Sequence, residues 1–359
     1  MRRGVPAVVG ATVCLVLVLM VAGPALACGG LIGPNGGVSL VKTTTLAGYH
    51  DGVEHYVTAF SFTGGTGNFG SIIPLPGVPT KVEKGGNWTL QRLVREVTPQ
   101  PRFAEAAGVA AAAAAPSPAE VLQQVRVDAL DLTVLKGAGA SVGTWAKDNG
   151  FSLPPDAPAL LDFYASRSPI FLAAKFDAAA ARAQGLGQGG ATPIHLSIPT
   201  SNPWVPLAIL GLSKQPSEFI QADVFLLTDQ RPSMLPAPAA AGSDRTSTTG
   251  LTLARSEPGS ASLISDLRSD QGMDWIPQTG MYLSYLQVDT PAVNLHYDLA
   301  VDATGHAAPS PAAAGLPDGV APAPSPAGSR VAWIWVAAAL GAVLLVGSWA
   351  WTLRPGAQA

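Results

Sequence analysis

The chain has 359 residues, of which 13% are charged and 48% hydrophobic, with a net charge of −3. That charged fraction is well below the roughly 25% usual for soluble domains. No basic stripe interrupts it, which excludes a nucleic-acid-binding surface.

The first segment reads as an export signal. Arg2 and Arg3 precede an apolar stretch over 8–22, which closes on Ala25-Leu26-Ala27, small residues at the positions a signal peptidase reads. Residues 1–27 are therefore expected to be a signal peptide. Its removal takes the net charge to −5 and leaves Cys28 at the new N-terminus. The other cysteine, Cys14, leaves with the peptide, so no internal disulfide is available. Ala25-Leu26-Ala27-Cys28 loosely fits a lipoprotein box, which makes Cys28 a candidate for lipidation; ordinary Ala-x-Ala cleavage, leaving Cys28 followed by Gly29-Gly30, is the favoured reading, since an apolar run already anchors the other end.

Two β-prone runs follow, over 38–50 and 53–62, with Asp51-Gly52 between them. Asp-Gly in that place is a strong hairpin signal, because both turn residues need positive φ. Residues 71–76 are a short strand whose two prolines place it at a sheet edge. Leu90, Leu93, Val94 and Val97 recur at helical spacing after Asn87. The alanine-rich run 104–118 is expected to be a surface insertion. A strand is expected over 125–135 and a helix over 141–149, with Ser141 capping it and Gly150 ending it. Asp156 is placed to cap a second helix over 158–165. Strands are expected over 170–176, 193–198, 205–212 and 219–228, then a low-complexity loop over 232–249. A helix around 263–267 and strands over 281–289 and 293–301 complete the segment. The fold class is α+β, a largely antiparallel β-sheet with a few short helices.

The domain is expected to span 28–302. Residues 303–329 are Pro/Ala-rich, with little to bury, and should form an extended stalk. Residues 331–353 are uninterrupted by charge, carry Trp333 and Trp335 near one end and Trp349 and Trp351 near the other, and lie between Arg330 and Arg354. At about 1.5 Å per residue such a run crosses a hydrocarbon core of roughly 30 Å, with the tryptophans at the headgroup levels. A single transmembrane helix over 330–354 is expected, the domain outside the plasma membrane and 355–359 in the cytoplasm. Ala337 and Gly341, four apart, would let two such helices pack closely.

Several runs together carry a family likeness. Ala27-Cys28-Gly29-Gly30, the Asp51-Gly52 hairpin and Phe69-Gly70-Ser71-Ile72-Ile73-Pro74-Leu75-Pro76 come first. Leu132-Thr133-Val134-Leu135, Trp145-Ala146-Lys147-Asp148-Asn149-Gly150-Phe151, Phe163-Tyr164 and Phe171-Leu172-Ala173-Ala174-Lys175 follow. In that order they resemble the bacterial secreted family known as domain of unknown function 2330, over about 28–302. The resemblance implies export, an extracytoplasmic domain, often a C-terminal anchor, and an unassigned activity. Ser71 stands where members usually carry Trp.

The remaining motifs are weak. Gly65 to Gly70 and Gly185 to Gly190 both match G-x-G-x-x-G, but neither lies between a strand and a helix, so both read as turns rather than nucleotide sites. Ser39-Leu40-Val41-Lys42 matches S-x-x-K, but on a strand Ser39 and Lys42 face opposite ways. His50 and His55 are diagonal neighbours if Asp51-Gly52 is a two-residue turn, close enough to share a metal ion, with Glu54 on the other face. A solvated hairpin tip accounts for the same residues. His195 alternates with Ile194, Leu196 and Ile198 and is expected to face solvent, and His296 and Asp298 to share the polar side of a strand. Asp266, Asp270 and Asp274, four apart, could gather carboxylates on a helix, although Gly272 favours a loop. No cofactor is expected. The reading is a non-enzymatic envelope module that binds a protein partner or envelope component. The alternatives are a metal-dependent hydrolase using His50 and His55, or a subunit of a membrane complex.

Overall fold

The computed structural model describes residues 30–32, 43–60, 69–98, 119–177, 179, 183, 192–242, 249–305 and 308–317. The signal peptide, Cys28, the S-x-x-K run, the alanine-rich insertion, most of both glycine-rich runs, the membrane run with Ala337 and Gly341, and the tail lie outside them. Among the described residues no helix is long and apolar enough to cross a membrane.

In chain order the strands are β1 (Gly30–Ile32), β2 (Thr43–His50), β3 (Val53–Phe60), β4 (Phe69–Leu75), β5 (Lys81–Lys84), β6 (Glu120–Val127), β7 (Leu130–Lys136), β8 (Ile170–Phe176), β9 (Thr192–Pro199), β10 (Trp204–Val205), β11 (Phe219–Thr228), β12 (Ser233–Leu235), β13 (Ala239–Ala240), β14 (Leu251–Pro258), β15 (Tyr282–Pro291) and β16 (Leu299–Asp302). The helices are α1 (Thr89–Val97), α2 (Gly139–Asp148), α3 (Ala157–Ala165) and α4 (Ala261–Ser269).

The Asp51-Gly52 turn forms as its chemistry requires. Asp51 has φ 50 and Gly52 φ 78, and His50 pairs with Val53. This hairpin lies inside an eight-stranded sheet of order β13-β14-β15-β11-β2-β3-β9-β5. All its pairings are antiparallel except β11 with β2 and β13 with β14. A second, wholly antiparallel sheet runs β1-β4-β8-β7-β6, and a small one β10-β16-β12.

The two large sheets face each other across the main core. Ile194, Leu196 and Ile198 of β9 and Val224 and Leu226 of β11 meet Leu130, Leu132 and Val134 of β7 and Leu172 of β8. The outer face of the eight-stranded sheet is covered by α1 and α4 through Leu90, Leu93, Leu263, Ile264 and Leu267. The outer face of the five-stranded sheet is covered by α2 and α3 through Val142, Trp145, Leu161 and Tyr164. Helix, sheet, sheet, helix: both faces of both sheets are buried, which is why several strands read as continuous apolar runs rather than alternating ones. Each fully buried Leu or Ile contributes on the order of 2 kcal/mol.

Local departures have identifiable causes. The expected strand 125–135 is two strands, β6 and β7, joined at Asp128, whose φ is 48. β4 is not an edge strand, since it pairs with both β1 and β8. However, β1 reaches only Gly70 to Ile72, and Pro74 lies beyond it. The run 205–212 continues a two-residue strand into a 3-10 turn at Ala208–Gly211, and 293–301 likewise opens with a 3-10 turn at Ala292–Asn294. Strand pairings β12 and β13 occupy part of the expected loop 232–249. α2 starts at Gly139, so Ser141 does not cap it, whereas Gly150, at φ 83, does end it. Asp156 precedes α3 but its carboxylate accepts instead from the Ser213 amide.

Residues 308–317, expected within the stalk, pack on the domain. Ala314 is buried, its carbonyl accepts from the Asp298 amide, and Arg167 donates to the Ala313 carbonyl at 2.7 Å. Asp298 is itself wholly buried rather than solvent-facing. It accepts from Tyr164, Arg167 and the Leu207 and Ala208 amides, while the Tyr164 hydroxyl accepts from Ile209. Arg167 also lies over the rings of Phe163, Tyr164 and Trp204.

Candidate functional site

The outer face of the eight-stranded sheet carries a connected group of titratable side chains, His55, His195, Glu83 and Lys81. Strand registers set it. His55 lies opposite Ser197, and His195 lies opposite Val57 on one side and Glu83 on the other. Because Ile194, Leu196 and Ile198 turn into the inter-sheet core, His195 must turn the other way, toward the helix layer. His195 is only 2% exposed, which corrects the expectation that it faces solvent. The alternation was right, but its polar side is roofed by the chain after α4.

His195 Nδ1 is 3.2 Å from Glu83 Oε1, and His195 Nε2 is 3.0 Å from His55 Nδ1. A carboxylate only accepts, so Nδ1 of His195 carries its proton and donates to Glu83. His195 Nε2 then accepts from His55 Nδ1–H, which makes Nε2 the unprotonated nitrogen of His55. Lys81 pairs with the same Glu83 oxygen at 2.7 Å. Burial lowers the His55 pKa to about 3, helped by the neighbouring His195, His50 and Lys81. Burial also lowers that of His195, against the pull of Glu83 and Asp274. Both rings are neutral at physiological pH.

Trp275 forms the wall of this group. Its ring stacks on His55 at 4.0 Å and 3°, and it lies so close to Gly48 that a Cβ there would come within 2.1 Å of it. Among the described residues its indole N–H finds no acceptor. The loop is held by buried Met273 and Ile276 and by Asp270. Asp270 accepts from the amides of Asn87, Trp88 and Thr89 and from the Thr89 hydroxyl, closing the N-terminus of α1. Asp266 instead pairs with Arg92 at 2.7 Å, so the three aspartates diverge rather than converge.

The register places His50 and His55 on one face, as the turn implies. Each ring, however, has a partner of its own. His50 Nδ1 engages Asp229 Oδ1 at 2.7 Å, and His55 pairs with His195. Among the described residues no group of three His, Cys, Asp or Glu is arranged to hold a metal ion. Sequence reasoning missed His195 and Glu83; the spacing of Glu83 from His195 holds no signal, because the two strands meet only in the sheet. His296 is exposed, outside any strand.

Glu54 sits on the opposite face, toward β10 and β16. It is fully buried beside a cavity of about 10 Å³ lined by Tyr49, Trp204, Val205, Leu226, Thr228 and Val301, roughly the volume of one water-sized sphere. Among the described residues neither carboxyl oxygen meets a partner at ordinary hydrogen-bond geometry. Burial raises its pKa to about 8, eased only in part by the Trp204 amide. Ser71 is also buried, at a position packed inside β4 rather than presented to solvent.

A family model described as an uncharacterized protein conserved in bacteria (DUF2330) matches residues 22–248. No curated protein matches the sequence. Solved structures with some likeness include baculovirus P35, at 10% identity and a TM-score of 0.40, covering 74% of this chain and 96% of that one. A mutated baculovirus P35 after caspase cleavage shows 7% identity and a TM-score of 0.39, covering 72% of this chain and 98% of that one. The caspase-8/P35 complex gives 8% identity and a TM-score of 0.37, covering 72% and 95%.

Proposed function

The chain belongs to the family of uncharacterized bacterial proteins described as DUF2330, and within it we propose a membrane-tethered, extracytoplasmic domain that binds a partner protein or envelope component. The observation that supports this reading is the order of segments in the sequence. A basic start and apolar stretch ending at Ala27 come first, and an apolar run over 331–353 bracketed by paired tryptophans comes last. Such an order exports the body of the protein and holds it at the outer face of the plasma membrane. Small residues at Ala337 and Gly341 offer a contact for a second helix within the bilayer.

The test is crosslinking of the full-length protein in its native membrane, with mass spectrometry of what is captured. A reproducible partner retained when residues 331–359 are exchanged for an unrelated anchor places recognition in the domain. A partner lost on that exchange places recognition in the helix and overturns the domain as the binding element. Resistance of the domain to protease added to intact cells overturns the extracytoplasmic placement.

A further inference from the structure

We propose that His55 and His195 form a binding site for a divalent late transition metal such as Zn²⁺ or Cu²⁺. The two ring nitrogens that face each other, His55 Nδ1 and His195 Nε2, are 3.0 Å apart on adjacent strands. Metal–imidazole bonds of about 2.0–2.1 Å in a tetrahedral arrangement separate two such nitrogens by a few tenths of an ångström more, and with the ring centroids 5.2 Å apart both rings must also turn so that their lone pairs converge on one ion. The metal takes the place of the bridging hydrogen. His55 moves its proton from Nδ1 to Nε2, so both rings stay neutral and no proton is released.

Three further features suit this role. Glu83 accepts from His195 Nδ1 at 3.2 Å, which holds Nε2 unprotonated and fixes the ring plane, as carboxylates behind metal-bound histidines do. Glu83 also pairs with Lys81, so the nearest cation is offset. Stacked Trp275 fixes the His55 ring and walls the site. Imidazole donors favour zinc, copper and nickel over calcium or magnesium. With two protein ligands among the described residues, the remaining coordination positions are left to water or to an atom of a bound molecule.

The test uses the full-length protein in detergent, titrated with ZnCl₂ by calorimetry and with CuSO₄ by tryptophan fluorescence. The expected result is one metal per chain and copper quenching that falls sharply in Trp275→Phe. His55→Gln with His195→Gln should abolish both signals, and Glu83→Gln should weaken binding about 10- to 100-fold. Circular dichroism shows whether the variants fold. Should they not, the wild-type titration still decides, since no stoichiometric binding overturns the proposal. Binding that persists in the folded double variant also overturns it. Neither result bears on the crosslinked partner, so this site and the tethered binding domain stand or fall separately.

Discussion

Glu54 and His55 are neighbours in sequence and point to opposite faces of one sheet, and burial acts on them with opposite sign. Glu54 holds its proton up to about pH 8 in the folded chain, against 4.5 for the ordinary carboxyl. Its stabilising effect is therefore complete below about 4.5 and is lost as pH rises to about 8, at up to roughly 1.4 kcal/mol per pH unit. Glu54→Gln should flatten that fall, and urea denaturation at pH 5 and pH 8 measures it. His55 resists protonation down to about pH 3, where the ordinary imidazole takes its proton at 6.5. Its stabilising effect is complete above about 6.5 and is lost as pH falls toward 3. His55→Gln should flatten the acid side of the same profile and leave the alkaline side unchanged. Gly48 belongs to this scale too. Gly48→Ala drives a methyl into Trp275, which should cost about 1–3 kcal/mol and shift the tryptophan emission.

At the scale of elements, α1 depends on a residue that lies far away in sequence. Trp88 at its N-cap offers no side-chain acceptor, and the four donors gathered there are met by Asp270 from the end of α4. Asp270→Ala leaves buried amides unpaired and should cost about 1–3 kcal/mol. Faster hydrogen exchange in α1 with β11 unchanged would mark the loss as local to this contact. The hairpin of β2 and β3 was legible from Asp51-Gly52, and α1 from Leu90, Leu93, Val94 and Val97, because turn chemistry and helical period are local. The split of 125–135 into β6 and β7 was not, since Asp128 stands where no glycine or asparagine announces positive φ. His195 and Glu83 were not legible as a pair, because β5 and β9 come together only through sheet pairing.

For the chain as a whole, the buried Asp298 joins α3, the 3-10 turn at Ala208–Gly211 and the segment 308–317. Arg167 is its counter-ion, 2.5 Å away and only 10% exposed. Arg167→Leu strands a buried charge and frees the Ala313 carbonyl, so a loss of about 3–5 kcal/mol is expected, read as a lower denaturation midpoint. Segment 308–317 should then become sensitive to protease before the sheets do. What sequence by itself determined here is local or linear: the β2–β3 turn and its register, the helix periods, and the order of apolar segments that underlies the proposed tether. Turn dihedrals, helical periods and long apolar runs each depend on residues adjacent in the chain. The tertiary structure decided which side of each strand is roofed. Period-two alternation tells that the faces of β9 differ, but not that residues 270–276 return to cover the polar one. That return turned His195 from an expected surface residue into the buried partner of His55, and it placed the candidate site.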